Sequence, residues 1–244
     1  RTVTRFTSDY PALTRIDEDA PLAGRTVARV FAAGKHLLVE FSGGLTLRTH
    51  MRMHGSWHIY RPGEAWQRPR RDARIIVETA DFVAVGFNVP IAEFLDERQR
   101  ARQDDLRSLG PDLLGARFDE DEAVRRLQAR GERGVADALL DQRAVAGIGN
   151  VYKSETLFLE RVHPGTPVRG VSEETLRALL RTARTLLKAN VADATAEIVT
   201  WRGLRRTTGR TDPAERLWVY GRRGQPCRRC QVRSSEFGVR SSKF

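Results

Sequence analysis

Long apolar runs are absent from this chain of 244 residues. No stretch approaches the roughly 20 apolar residues that a helix needs to cross a bilayer, so we expect no membrane partner. The first six residues, Arg-Thr-Val-Thr-Arg-Phe, also lack the apolar core of a secretory signal peptide. A cytoplasmic protein is therefore expected, and a hydrophobic content of 40% allows one large domain or two small ones.

Acidic residues are outnumbered, with 31 Asp and Glu against 42 Lys and Arg, and the formal net charge is +11. Lysine is scarce as well, since almost all of the cations are arginine. A GC-rich genome explains the preference for arginine, but it does not explain the surplus of positive charge. Such a surplus favours a polyanionic partner, which for a cytoplasmic protein means nucleic acid.

Cysteine occurs only twice, as Cys227 and Cys230. A Cys-x-x-Cys pair is half of a tetrahedral zinc site, because its two thiolates point to one side of a tight knuckle. The alternative is a thioredoxin-like redox pair, which would follow a strand and open a helix. This pair follows a Gly- and Arg-rich loop instead, so we favour a zinc knuckle that lacks a second pair of ligands.

The first third of the chain does carry hairpin signals. Two alternating segments flank Ser42-Gly43-Gly44, and two more flank Thr79-Ala80-Asp81. The predicted strands are residues 36–41, 45–50, 74–78, 82–87 and 92–96. This pattern predicts an antiparallel sandwich or barrel.

The pattern becomes helical after residue 113. Helices are predicted at residues 119–130, 135–140, 150–161 and 172–190. A short strand is predicted at 216–220, just before the cysteines. The segment 233–244 has no core pattern, and we expect it to be disordered or foreign to the fold.

The segment Ala146-Gly147-Ile148-Gly149-Asn150 joins two of these helices. The glycines permit a tight turn, and we expect Asn150 to cap the next helix. The amides at such a helix start can bind an anion, which for this basic chain would be a phosphodiester. The alternative is that the segment is only a turn.

Several motifs, taken in order, resemble the formamidopyrimidine-DNA glycosylase/endonuclease VIII family. They are Ala33-Gly34-Lys35-His36, His50-Met51-Arg52-Met53-His54-Gly55, Leu109-Gly110-Pro111-Asp112, residues 140–155, and Tyr220-Gly221-Arg222 before the cysteines. The Arg52-Met53-His54 segment favours the endonuclease VIII side. The resemblance implies an α+β multidomain fold: an N-terminal antiparallel β-sandwich (1–112), a helical domain with a helix–two-turns–helix (113–205), and a zinc-finger remnant (206–244).

The resemblance also implies roles for individual residues. Lys35 would be catalytic, contacting phosphate and assisting β-elimination, although an ordinary solvated lysine is the alternative. Met53 would fill the gap left by an extruded base, whereas the plain alternative makes Met51 and Met53 core-facing residues of one strand. The residues expected to bind DNA are Arg52, Met53, Arg107, Asn150 and Tyr220, and Cys227 and Cys230 would bind zinc.

The implied function is base-excision repair. The enzyme would be a bifunctional glycosylase and lyase that acts as a monomer, at the nucleoid, on duplex DNA with damaged bases or abasic sites. The alternatives are a non-catalytic protein that binds damaged DNA and, less consistent with the motifs, an RNA-associated basic protein.

The chain departs from this family at both ends. The family nucleophile is an N-terminal proline followed by glutamate, whereas residue 1 here is arginine. The family zinc finger also has a second Cys-x-x-Cys, which does not follow Cys230. We therefore expect a copy truncated or shifted at its ends, inactive as written, with an incomplete zinc site.

Overall fold

The computed structural model describes residues 1–52, 54–191, 207–208, 210, 212 and 215–231. The chain divides into two compact units, of which the first contains Arg1–Arg107 and the second begins at Ser108. Across the described residues, no helix combines the length and the apolar character needed to cross a bilayer.

The first unit contains two four-stranded antiparallel sheets, which confirms the antiparallel prediction. The strands are β1 (Val3–Ser8), β2 (Val27–Ala33), β3 (His36–Phe41), β4 (Leu45–His50), β5 (Ser56–Tyr60), β6 (Ala73–Thr79), β7 (Val83–Phe87) and β8 (Ile91–Leu95). Their orders are β1-β6-β7-β5 and β2-β3-β4-β8. The helices of this unit are α1 (Pro11–Asp19), α2 (Glu97–Arg102) and α3 (Asp104–Arg107).

Both sheets contribute side chains to one buried apolar cluster. Phe41, Leu47 and Phe94 belong to it from the second sheet, and Val3 and Ile75 belong to it from the first. Because side chains alternate along a strand, the residues between them point to the opposite face. On that face of the second sheet, His36, Arg48, His50 and Glu93 lie among buried apolar residues such as Leu38, and the candidate site begins there.

Helix α1 corrects the prediction that the first third contains only strands. Pro11 is its first residue, where the missing N–H of proline costs no intrahelical hydrogen bond. Leu13 is fully buried, and Ile16, one turn later, packs against the same cluster. The helix has only nine residues, so its periodicity is weak in the sequence. Strands β1, β2 and β5 also went unpredicted.

The second unit is helical. Its helices are α4 (Glu120–Gln128), α5 (Val135–Leu140), α6 (Asn150–Leu159) and α7 (Glu173–Lys188). They confirm the four predicted helices to within two residues at each end. Side chains of Asp119 and Ser172 accept hydrogen bonds from the first turns of α4 and α7, which defines where these helices begin. Leu139, Ile148 and Leu180 are fully buried in the core that the helices share.

The short strand predicted at 216–220 is wrong, because this segment forms turns. The N–H groups of Trp218, Val219 and Tyr220 donate to the carboxylate of Glu155 at 2.7, 2.8 and 2.9 Å. Backbone donors that bind a side chain are not available to a strand ladder. The predicted disorder at 233–244 falls outside the described residues.

Gly110 tests the packing of the second unit. Its N–H donates to the Gln142 carbonyl at 2.8 Å, and an added Cβ would lie 2.4 Å from the Ala144 carbonyl oxygen. We expect Gly110→Ala to reduce the free energy of unfolding by about 1–3 kcal/mol, because a backbone atom would have to move. Thermal unfolding measures this effect. Gly131→Ala is the control, since its added methyl meets its nearest atom at 3.8 Å; equal melting temperatures would contradict the packing explanation.

Candidate functional site

Lys35 lies in the two-residue turn between β2 and β3. Gly34 precedes it with a φ of +57°, a conformation that glycine adopts without steric cost. Burial lowers the pKa of the Lys35 ammonium. A lysine with a lowered pKa spends more time as the neutral amine, so it accepts a proton more readily near neutral pH. This environment favours a chemical role over that of a solvated surface lysine.

Two histidines lie beside this turn. His36 and His50 are paired across β3 and β4, and their ring centroids are 4.7 Å apart. Burial, together with the charge of Arg48, lowers the pKa of His36 to about 4. Burial also lowers the pKa of His50, and the charges of Lys35 and Arg52 lower it further. Both rings are therefore neutral at neutral pH. The charges of Lys35 and Arg52 both lie close enough to His50 to lower its pKa.

Arg48 is a functional candidate that the sequence analysis missed. It lies in the middle of β4 and is only 4% exposed. Its Nε donates to His36 Nδ1 at 3.2 Å, and its Nη1 forms an ion pair with Glu93, its neighbour across the ladder on β8. A charged residue inside an otherwise alternating strand is the signal that could have identified it.

The turn after β4 carries the segment expected to enter DNA. Arg52 is exposed, has a φ of +45°, and donates its N–H to His50 Nδ1 at 3.1 Å. Met51 packs against the sheet core, and β4 ends at His50. Met51 thus lies just after the end of β4 and faces the core, as the plain alternative expects for this residue. Met53 itself falls outside the described residues.

The far side of this turn is held by Arg68. Its Nη1 donates to the His54 carbonyl at 3.2 Å and to Ser56 Oγ at 3.3 Å. Gly55 closes the turn by donating its N–H to the Met51 carbonyl at 2.9 Å. The exposed tip of the turn is thus supported from both ends.

Arg107 is exposed at the end of α3, as a residue that contacts DNA must be. The structure brings Lys35, Arg52 and Arg107 into one unit. The charges of Lys35 and Arg52 both lower the pKa of His50. Arg107 lies in the same short helix as Asp105, which forms an ion pair with Arg48.

In the second unit, one side chain holds the segment that precedes α6. The Gln142 amide nitrogen donates to the carbonyls of Leu140 at 2.8 Å and Ile148 at 3.1 Å, and its oxygen accepts the Gly147 N–H at 3.1 Å. Gly147 has a φ of +108°, a value that L side chains rarely adopt. The turn before α6 is therefore held rigidly.

The expected cap of α6 needs a correction. Gly149 is the N-cap, and Asn150 is the first residue of the helix. A side chain at the cap would accept a hydrogen bond from the helix start, whereas the glycine leaves room in front of it. Asn150 is exposed at this end, where the helix dipole and the N–H groups of the first turn attract anions.

Glu155, five residues further along α6, is fully buried and was also missed. Besides the three N–H groups of residues 218–220, its carboxylate accepts a hydrogen bond from the Thr207 hydroxyl. Glu155 thereby fixes the backbone of Tyr220 against the helix that begins with Asn150. An acidic residue inside a predicted amphipathic helix was the available signal.

Cys227 and Cys230 lie in a turn, which differs from the helix start of a thioredoxin-like pair. Burial raises the pKa of the Cys227 thiol, but N–H donation from Cys230 and Arg229 outweighs it and lowers that pKa below its ordinary value. Arg229 also donates to the Phe158 carbonyl at 3.1 Å, which docks the knuckle on the end of α6. Within the described ranges, no group of three His, Cys, Asp or Glu residues could hold a metal ion. The described donors thus do not complete a zinc site.

Comparison with known proteins gives two matches to family profiles. Residues 1–111 match the formamidopyrimidine-DNA glycosylase N-terminal domain, and residues 109–200 match the formamidopyrimidine-DNA glycosylase H2TH domain. A probable endonuclease 8 2 from Streptomyces coelicolor is 42% identical over 94% of this chain and 78% of its own length. The DNA-(apurinic or apyrimidinic site) lyase Nei2 from Mycolicibacterium smegmatis is 39% identical over 94% of this chain and 82% of its own.

A solved structure has the same fold. The Lactococcus lactis Fpg, in a complex with DNA containing an abasic site, aligns with a TM-score of 0.73 at 24% identity. The alignment covers 96% of this chain and 86% of the other. The resemblance drawn from the motifs is confirmed by these comparisons.

Zinc content tests the cysteine site. Two thiolates are half of the four ligands of a structural zinc site, so we expect the 244-residue polypeptide to lose its zinc to EDTA. Elemental analysis before and after dialysis measures this, and Cys227→Ser shows how much metal the knuckle holds. One zinc per chain that survives EDTA would contradict the expectation.

Proposed function

Because the chain belongs to the formamidopyrimidine-DNA glycosylase and endonuclease 8 family, we propose that it is a base-excision repair enzyme. It would excise oxidised bases from duplex DNA and cleave the abasic strand by β- and δ-elimination. The observation that carries this proposal is the partial burial of Lys35, which lowers the pKa of its ammonium, beside the turn that carries the exposed Arg52.

Lys35 would contact the phosphate beside the lesion and assist elimination. As the ammonium it binds the phosphate, and as the neutral amine it accepts a proton. Its lowered pKa brings these two forms closer in population near neutral pH. The neutral rings of His36 and His50 line the same turn without adding charge that would compete for the phosphate.

The remaining DNA contacts would come from residues of both units. Met53 would fill the gap left by an extruded base, and Arg52 and Arg107 would contact DNA. Asn150 would bind a backbone phosphate, which the N-terminus of α6 favours electrostatically. Tyr220 would contribute through the segment that Glu155 anchors. The surplus of 11 positive charges supports binding along the backbone.

We assign residues 1–112 to a β-sandwich domain of the catalytic type, 113–205 to the helical DNA-binding domain and 206–244 to an incomplete zinc-finger segment. The unit boundary between Arg107 and Ser108 supports the first division. Cys227 and Cys230 would be two of the zinc ligands. The enzyme would act as a monomer at the nucleoid, where its substrate lies.

The glycosylase step in this family requires an amine that attacks C1′ of the damaged nucleotide and forms a Schiff base. A secondary amine at an N-terminal proline has a pKa that leaves a useful neutral fraction at neutral pH. Residues 1 and 2 of this sequence are arginine and threonine, so the 244-residue polypeptide does not itself supply this proline. We therefore propose that residues 1–244 alone bind DNA but do not form this intermediate.

Borohydride trapping on duplex DNA with an abasic site tests the proposal. We expect no covalent adduct from residues 1–244, and an adduct after extension by an N-terminal helix that begins Pro-Glu. In the extended protein, Lys35→Ala should slow strand cleavage by about a hundredfold, the usual contribution of a positioned acid or base.

Lys188→Ala, at the exposed end of α7, is the matched control and should cleave at the unmodified rate. A strong adduct from residues 1–244 would show that the nucleophile lies elsewhere. Failure of the extended protein to trap or cleave would favour a non-catalytic DNA-binding protein.

A further inference from the structure

The buried guanidinium of Arg48 connects two segments that the proposed function uses. On one side its Nε donates to His36, the residue after Lys35. On the other side its Nη1 donates to Gln103 Oε1 at 3.1 Å, and its Nη2 donates to Asp105 Oδ2 at 3.1 Å. Asp105 lies two residues before Arg107 on α3. One side chain thus contacts the neighbours of both Lys35 and Arg107.

Only arginine satisfies this arrangement. Its planar fork offers donors in several fixed directions, whereas the ammonium of lysine is a compact charge with rotatable donors. A buried guanidinium is costly without partners, and Glu93 and Asp105 supply two carboxylates. These carboxylates are 38% and 69% exposed, so water can solvate them when the guanidinium is removed. Proteins in which Arg48 is substituted should therefore fold.

We propose that Arg48 is a positioning residue for the reaction: it holds the Lys35 turn and the Arg107 helix in fixed register with each other. This inference rests on the proposed function. Because Arg48 is itself buried, it would not reach DNA directly. It acts through His36 on one side and through Asp105 and Gln103 on the other.

The binding experiment uses a duplex with a tetrahydrofuran site, a stable analogue of an abasic site that needs no Schiff base. We expect Arg48→Met to weaken binding of this duplex about tenfold, a size typical of residues coupled through direct contacts. Arg48→Lys, which keeps the charge, should recover part of the loss. Arg100→Met is the control, because Arg100 forms an ion pair with Glu40 on the same sheet but does not touch His36.

A double-mutant cycle separates positioning from general stability. If Arg48 acts through Lys35 and Arg107, Arg48→Met should cost less affinity when Lys35→Ala or Arg107→Ala is already present. A residue that only stabilises the fold would give additive losses in both backgrounds. Additive losses, or unchanged binding by Arg48→Met, would overturn the proposal.

Histidine NMR reports the contact without any DNA. Because the Arg48 charge helps to hold the pKa of His36 at about 4, Arg48→Met should raise the pKa of His36 toward its ordinary value. An unchanged titration would show that the contact is absent and would also overturn the proposal. If the unsubstituted protein does not prefer the tetrahydrofuran duplex to an intact one, the proposed function fails, and this inference fails with it.

Discussion

A buried charge must be paired, and each unit of this protein is organised around one such charge. In the first unit the charge is the guanidinium of Arg48, and in the second it is the carboxylate of Glu155. An unpaired ion in either place would cost several kcal/mol, so the chain must bring partners to it from other elements. The partners in each case adjoin residues that we expect to contact DNA.

This constraint explains how a strongly basic chain builds a defined site rather than a diffuse positive surface. Exposed arginines attract a polyanion but do not orient it. We propose that orientation comes from short segments held at both ends, such as the turn between His50 and Gly55 and the turn before α6. The surrounding burial also lowers the pKa of Lys35, so the same packing that orients the lysine increases its neutral fraction.

Local features of the structure could be predicted from the sequence, and distant pairings could not. Ser42-Gly43-Gly44 predicted the β3–β4 hairpin, and Asp119 and Ser172 marked the starts of α4 and α7, because each signal lies within a few residues of what it determines. Arg48 and Glu155 were missed because their partners lie up to 57 and 65 residues away. The strand wrongly predicted at 216–220 has the same cause. The sequence pattern does not show that the N–H groups of this segment donate to the distant Glu155.

We propose that the Lys35 turn, the turn after β4 and the start of α6 bind DNA. Hydrogen–deuterium exchange, measured with and without a duplex that contains a tetrahydrofuran site, tests this proposal directly. We predict slower exchange at residues 33–37, 50–55 and 147–152, and unchanged exchange at the exposed edge of β2. Protection confined to other surfaces of the protein, with none at these three segments, would contradict this proposal.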